Sequence, residues 1–294
     1  MKSDTTKTIK TITFFLFCGL LGFGLAYSIG SFAKNFSELD SLKEGITMPK
    51  WLRLVAVFFT MYMVIVIHEL GHLLTGLFQG FRFQLFVAGF LGVRREEDDS
   101  IKMFLNKDLN YFGGVAATSP TQEHPDNARK FANLLLAGPL ASLGFALLCF
   151  FLLTIADPNW RLICLMGSVG SLGIFLATTL PSRTGPFYTD RKRYQRLVRP
   201  GKEREIELAL IDVQEKMAGK NGIEKLDVDK LRLIQQDEAP FFRYIGYFYE
   251  LAYAHKFDSD KIPSIKEAMS ALEKDIPDNV PALFEKELEK MLAG

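Results

Sequence analysis

Hydrophobic residues form long uninterrupted runs up to Arg199 and follow a mixed, amphipathic pattern from Gly201 onward. A helix that crosses a bilayer needs ~20 apolar residues. Four runs meet this requirement, at residues 11–33, 51–78, 131–156 and 160–180. The sequence therefore predicts four transmembrane helices, and the short turn at 157–159 makes the last two antiparallel neighbours.

The first run also resembles a secretory signal peptide, because Lys2, Lys7 and Lys10 precede it. The apolar part of a signal peptide usually spans ~7–15 residues and ends at a small-residue cleavage site. Residues 11–33 form a longer run, and no such site followed by a secreted domain is visible. We therefore predict a retained transmembrane helix.

The loop between the second and third runs contains two β-prone segments. Residues 81–93 are apolar and aromatic, with Gly89 and Gly92 as expected breakers, and residues 111–117 form a second extended segment. A charged stretch at 94–99 separates them. The pattern predicts a short β segment that lies against the membrane helices, because unpaired backbone groups near lipid are costly.

The polar region after residue 200 has the spacing of amphipathic helices. This spacing predicts a soluble helical domain. We expect this domain to have a regulatory or recruiting role and not to cut the substrate. The fold class is thus an α-helical polytopic membrane protein with a C-terminal soluble helical domain. The predicted domains are 1–50, 51–199 and 200–294, and the predicted C-terminal helices are 203–218, 240–255, 262–272 and 282–292.

Charge is distributed unevenly along the chain. Residues 1–200 carry 21 Lys and Arg against 14 Asp and Glu, whereas residues 201–294 carry 14 against 20. The net charge of +1 is a cancellation and does not indicate nucleic-acid binding. Basic residues concentrated after the fourth run mark a cytoplasmic flank. We expect an integral protein of the bacterial inner membrane with both termini in the cytoplasm.

The three cysteines are typical of buried small hydrophobic residues. Cys18, Cys149 and Cys164 all lie inside apolar runs and lack the spacing of a disulfide framework or a cysteine-bound zinc.

The strongest chemical signal is the segment His68-Glu69-Leu70-Gly71-His72. Histidines four residues apart on a helix lie on one face, so both imidazoles can bind one zinc, and Glu69 is then placed to act as the catalytic base. Ionisable groups inside an apolar run are costly and usually functional. The alternative is a pair of hydrogen-bonded core histidines beside a buried carboxylate.

A catalytic zinc usually has three protein ligands. The chain contains four histidines, so the third ligand must be His124, His255 or a carboxylate. His124 lies in a polar turn and His255 far along the acidic C-terminal region. Asp190 follows the fourth apolar run. That run brings the chain back to the side of the membrane where the second run, which contains His68 and His72, ends.

Several motifs in the same order resemble the site-2 protease family of intramembrane metalloproteases over residues 51–199. The family's H-E-x-x-H matches His68 to His72. Gly138-Pro139-Leu140-Ala141-Ser142 is similar to its G-P-x-x-N element, with Ser142 in place of asparagine. Leu180-Pro181 followed by Asp190 resembles its last motif, although Arg191 stands where the family has glycine.

This resemblance implies a three-helix core with the first run as an added helix. It also implies a Zn²⁺ cofactor bound by His68, His72 and Asp190, with Glu69 as catalytic base. The implied substrate is a membrane protein, single-pass in type, which the segments at 81–93 or 111–117 would bind by strand addition. The alternatives are a catalytically inactive scaffold of the same family, or a transporter or channel with an intramembrane His/Glu cluster.

Overall fold

The computed structural model describes residues 45, 47–96, 98–107, 111–122, 124–184, 187–217 and 221–293. Within these residues, three helices are long and apolar enough to cross a membrane, with mean hydropathies of 2.0, 2.2 and 1.8. They are α1 (Lys50–Phe78), α2 (Asn127–Ile155) and α3 (Pro158–Thr179). They correspond to the second, third and fourth predicted runs. The predicted helix at 11–33 lies outside the described residues.

The start of α2 differs from the prediction because its first turn is polar. The helix begins at Asn127 rather than at 131, and the Asn127 side chain is buried. Its amide donates to the Gln122 carbonyl at 2.9 Å and to the Glu215 carboxylate at 2.5 Å. Protein contacts therefore extend this helix beyond its apolar run.

The outer faces of the three long helices carry exposed large apolar side chains, as expected for surfaces that contact lipid. Their inner faces use small residues where the helices cross. A Cβ at Gly71 of α1 would lie 2.6 Å from the Ala137 carbonyl oxygen of α2. The exposed side chains include Trp51, Phe58, Phe78, Leu147, Phe151 and Leu172.

The loop after α1 folds into a four-stranded antiparallel sheet in the order β3-β2-β1-β4. Its strands are β1 (Arg82–Ala88), β2 (Leu91–Arg95), β3 (Ile101–Leu105) and β4 (Val115–Ser119).

The predicted β-prone segments correspond to β1, β2 and β4, whereas β3 was not predicted. Gly89 breaks the first segment, with φ of 54° at the turn. The prediction that Gly92 is a second breaker was wrong. Gly92 lies inside β2, where the Phe104 ring of β3 occupies the space that a Cβ would need.

The chain after α3 forms a two-stranded hairpin and a set of shorter helices. The hairpin pairs β5 (Arg183–Thr184) with β6 (Phe187–Tyr188). The helices are α4 (Asp190–Val198), α5 (Lys202–Met217), α6 (Val228–Ile234), α7 (Pro240–Phe257), α8 (Ile262–Leu272) and α9 (Val280–Ala293). The four predicted C-terminal helices correspond to α5, α7, α8 and α9, whereas α4 and α6 were not predicted.

The C-terminal helices pack against the membrane helices. Leu197 of α4 and Ile211 of α5 share a buried cluster with Phe81, which follows α1, and with Phe131 of α2. This cluster brings α4 and α5 to the end of the bundle where α1 ends and α2 begins.

Candidate metal centre

Helix α1 brings the two histidines of the motif together inside the bundle. His68 and His72 are each only 6% exposed, and their Nε2 atoms lie 3.3 Å apart. This arrangement follows from their spacing of one helical turn, which the sequence predicts.

The first residue of α4 completes the cluster. One Asp190 carboxylate oxygen, Oδ2, lies 3.3 Å from His68 Nε2 and 3.4 Å from His72 Nε2. A tetrahedral zinc with bonds of ~2.0–2.1 Å holds its ligand atoms roughly 3.3–3.4 Å apart. The three donor atoms therefore form one face of a tetrahedron of the size that zinc requires. Among the described residues, these three form the group with metal-binding spacing.

The Nδ1 atom of each imidazole forms a hydrogen bond to α2, while both Nε2 atoms face Asp190. His72 Nδ1 lies 2.8 Å from the Leu134 carbonyl oxygen. A carbonyl only accepts, so His72 must carry a proton on Nδ1, and the neutral imidazole then has its lone pair on Nε2. His68 Nδ1 hydrogen-bonds Ser142 Oγ at 3.0 Å. Such contacts fix ring orientation in metal sites.

A carboxylate that binds a metal must be deprotonated. Burial would raise the pKa of the Asp190 carboxyl, but the His68 and His72 imidazoles beside it hold the pKa well below its usual range. Its place at the start of α4 adds the favourable field of a helix N-terminus.

Glu69 lies beside the three donor atoms and against β4. Its side chain is buried, and its carboxylate accepts a hydrogen bond from the Ala116 backbone amide. Gly114 permits this approach, because a Cβ there would lie 2.5 Å from Glu69 Oε1 and the residue has φ of 106°. The Ala116 amide thus holds the carboxylate in place beside β4.

The Gly-Pro element of α2 also has a local explanation. A Cβ at Gly138 would overlap the His72 ring, so glycine lets α2 pass directly over the imidazole. Pro139 lacks an amide proton and removes one hydrogen bond of the same helix. The bond between Ser142 and His68 was not predicted, since sequence spacing does not reveal contacts between helices.

The other candidate ligands lie elsewhere. His124 is exposed near Asp126, at 3.8 Å, and His255 is exposed on α7. The basic residues that follow Asp190 have partners other than Asp190: Arg191 stacks on a ring, while Lys192 and Arg193 form ion pairs. Their respective partners are Tyr194, Glu203 and Glu207.

Comparison with known proteins agrees with this arrangement. A family model described as peptidase family M50 matches residues 56–293. The match covers α1 from its second turn and extends through α9, so it includes the C-terminal helices. Searches of curated proteins and of solved structures found no significant match.

The first prediction concerns the third ligand. Asp190→Asn should lose most of its zinc and its activity, because an amide is a much weaker zinc ligand than a carboxylate. His124→Ala should lose neither. Metal analysis of both purified variants tests the assignment, and full zinc in Asp190→Asn with depletion in His124→Ala would contradict it.

The second prediction concerns Ser142. Ser142→Ala removes the hydrogen bond that orients His68 and should weaken zinc binding by about 10–100-fold, as is typical of residues that support metal ligands. Ser171→Ala is the matched control, because Ser171 is also fully buried in a long helix and its hydroxyl has no hydrogen-bond partner among the described residues. Chelator competition measures both zinc affinities, and equal losses would refute the role of Ser142.

Proposed function

The chain belongs to peptidase family M50, the site-2 protease family, and on that premise we propose that it is an intramembrane zinc metalloprotease. The observation that carries the proposal is the triangle of donor atoms from His68, His72 and Asp190, with Glu69 directly beside it. The match to the family model supports a membrane metalloprotease in general. The metal, the residue roles and the substrate are our inference.

In this proposal His68, His72 and Asp190 hold the zinc. Bound zinc supplies Lewis acidity, which stabilises the negative charge that develops when a peptide carbonyl is attacked. The donor set suits zinc because it combines two imidazoles with one carboxylate and leaves the fourth position open.

Glu69 acts as the general base. Its carboxylate accepts a proton from the attacking water as the oxygen bonds to the scissile carbonyl carbon. It then donates that proton to the nitrogen of the departing amine, so that the peptide C–N bond breaks and the carboxylate is restored. The Ala116 amide keeps the carboxylate oriented.

The substrate is proposed to be a membrane protein, single-pass in type, that contributes an unwound segment. A peptide bond inside an intact helix is shielded, so the substrate backbone must be extended before attack. β4 is an edge strand, and its Ala116 amide hydrogen-bonds the Glu69 carboxylate. Strand addition along this edge would bring the substrate backbone next to the catalytic base.

The proposed location is the bacterial inner membrane, with the active site near the cytoplasmic face. Exposed apolar side chains on the three long helices support contact with the lipid bilayer. The metal centre lies near the end of α1, on the side where the basic segment after α3 continues into α4. That segment is the cytoplasmic flank by its content of arginine and lysine. Nucleic acid is not a proposed partner.

An inactive scaffold is the alternative that Arg191 raises, because the family has glycine at this position. The Arg191 guanidinium lies over the Tyr194 ring, 5.3 Å from its centroid. A guanidinium held on this ring has a partner other than the zinc ligands, which favours an active enzyme.

Glu69→Gln tests the catalytic role. The variant should keep its zinc, because Glu69 is not a proposed ligand, and should lose about 10²–10⁴-fold in cleavage rate, as is typical for loss of a general base. Glu96→Gln, at the end of β2, is the control that should retain both. Near-wild-type cleavage of a membrane substrate by Glu69→Gln would refute the assignment.

Val115→Pro tests strand addition at β4. Proline removes a backbone donor and should disturb the edge strand beside Glu69, which lowers cleavage without lowering zinc content. Met103→Pro makes the same change in β3, the opposite edge of the sheet, and should have little effect. If both variants cleave equally well, β4 does not bind the substrate.

A further inference from the structure

The helix that presents Asp190 is anchored by a buried arginine. Arg196 of α4 is only 1% exposed. Its Nε donates to Glu207 Oε1 at 2.9 Å, one terminal nitrogen donates to Glu203 at 3.3 Å, and the other binds Asp237. All three carboxylates belong to the chain after residue 200.

Glu207 binds two positions of α4 at once. Its second oxygen accepts from Arg193 Nη2 at 2.8 Å, and the side chain is completely buried on α5. Arg193 and Arg196 are three residues apart and therefore lie on one face of their helix. A carboxylate bonded to both guanidinium groups fixes the rotation of α4 about its axis as well as its distance from α5.

Asp237 holds the segment that precedes Asp190 in the chain. It accepts a hydrogen bond at 2.7 Å from the hydroxyl of Tyr188, which precedes Asp190 by two residues. The Arg196 guanidinium lies over the Tyr188 ring, 4.4 Å from its centroid. The short segment that contains Asp190 is therefore held at both ends by the C-terminal region.

These contacts matter because α4 is short. It has nine residues, and isolated helices shorter than ~12–15 residues are marginal in water. Its buried side chains are Arg196 and Leu197. The geometry at His68 and His72 requires the Asp190 oxygen at a defined position, and the ion pairs act together with the packing of Leu197 to fix the orientation of the helix that carries it.

We propose that Arg196, Glu207 and Asp237 are positioning residues of the metal centre, so that the C-terminal region is a structural part of the catalytic unit. The proposal rests on the proposed function, because it takes Asp190 to be a zinc ligand. It replaces the expectation that the region after residue 200 only regulates or recruits. Buried charges suit this role, since removal of one partner leaves the other uncompensated.

The test uses Glu207→Gln and Arg196→Lys in the full chain. Glutamine keeps the shape of Glu207 but cannot neutralise two guanidinium groups. Lysine keeps the charge of Arg196 but lacks its planar fork, which provides a second variant if the first fails to fold. Both should bind zinc about 10–100-fold more weakly in chelator competition. Both should also change the visible spectrum of the cobalt-substituted protein and lower kcat with little change in KM.

The matched control is Glu224→Gln, which breaks an exposed ion pair with Lys256 in the same region. It should retain the wild-type zinc affinity and cobalt spectrum. Folded protein is isolated by size-exclusion chromatography before each titration, so that a loss of folded molecules is not counted as a loss of affinity.

The proposal is overturned if the folded variants keep the wild-type zinc affinity and cobalt spectrum, since α4 would then need no anchoring. Asp190→Asn in the same assay separates this failure from failure of the premise. Weaker zinc binding in Asp190→Asn alone overturns only the positioning role. Unchanged binding in Asp190→Asn overturns the proposed ligand set, and this inference with it.

Discussion

The burial of two imidazoles and a carboxylate inside an apolar helix is the constraint on which the rest of the structure depends. Such groups are costly in a hydrocarbon environment unless each has a partner. The partners of His68, Glu69 and His72 come from α2, β4 and α4. One motif on α1 therefore dictates where three later segments of the chain must lie.

The glycines and the C-terminal helices follow from this constraint. Gly138 and Gly114 allow α2 and β4 to approach the buried side chains more closely than any other residue would. Asp190 is the first residue of a short helix, α4. The Arg196 side chain of this helix binds Glu207 and Asp237 of the C-terminal region. The region after residue 200 is thereby connected to the buried cluster of His68, His72 and Asp190.

The sequence predicts the features that are local. Apolar runs predict α1, α2 and α3, and the spacing of four residues predicts that His68 and His72 meet. Helix α4 was not predicted because the face that packs against α5 carries Arg193 and Arg196. The usual apolar periodicity of a helix is therefore missing. Asp190 was identified from the family resemblance and from the return of the fourth run to the end of the second. Its position depends on ion pairs with residues far along the chain, which periodicity does not reveal.

The proposed metal centre consists of zinc bound by His68, His72 and Asp190. X-ray absorption spectroscopy at the zinc edge of the purified wild-type protein tests it most directly. The predicted result is a site of nitrogen and oxygen ligands at ~2.0–2.1 Å that includes two imidazoles. A sulfur ligand at ~2.3 Å, or scattering from a single imidazole, would contradict the proposed metal centre.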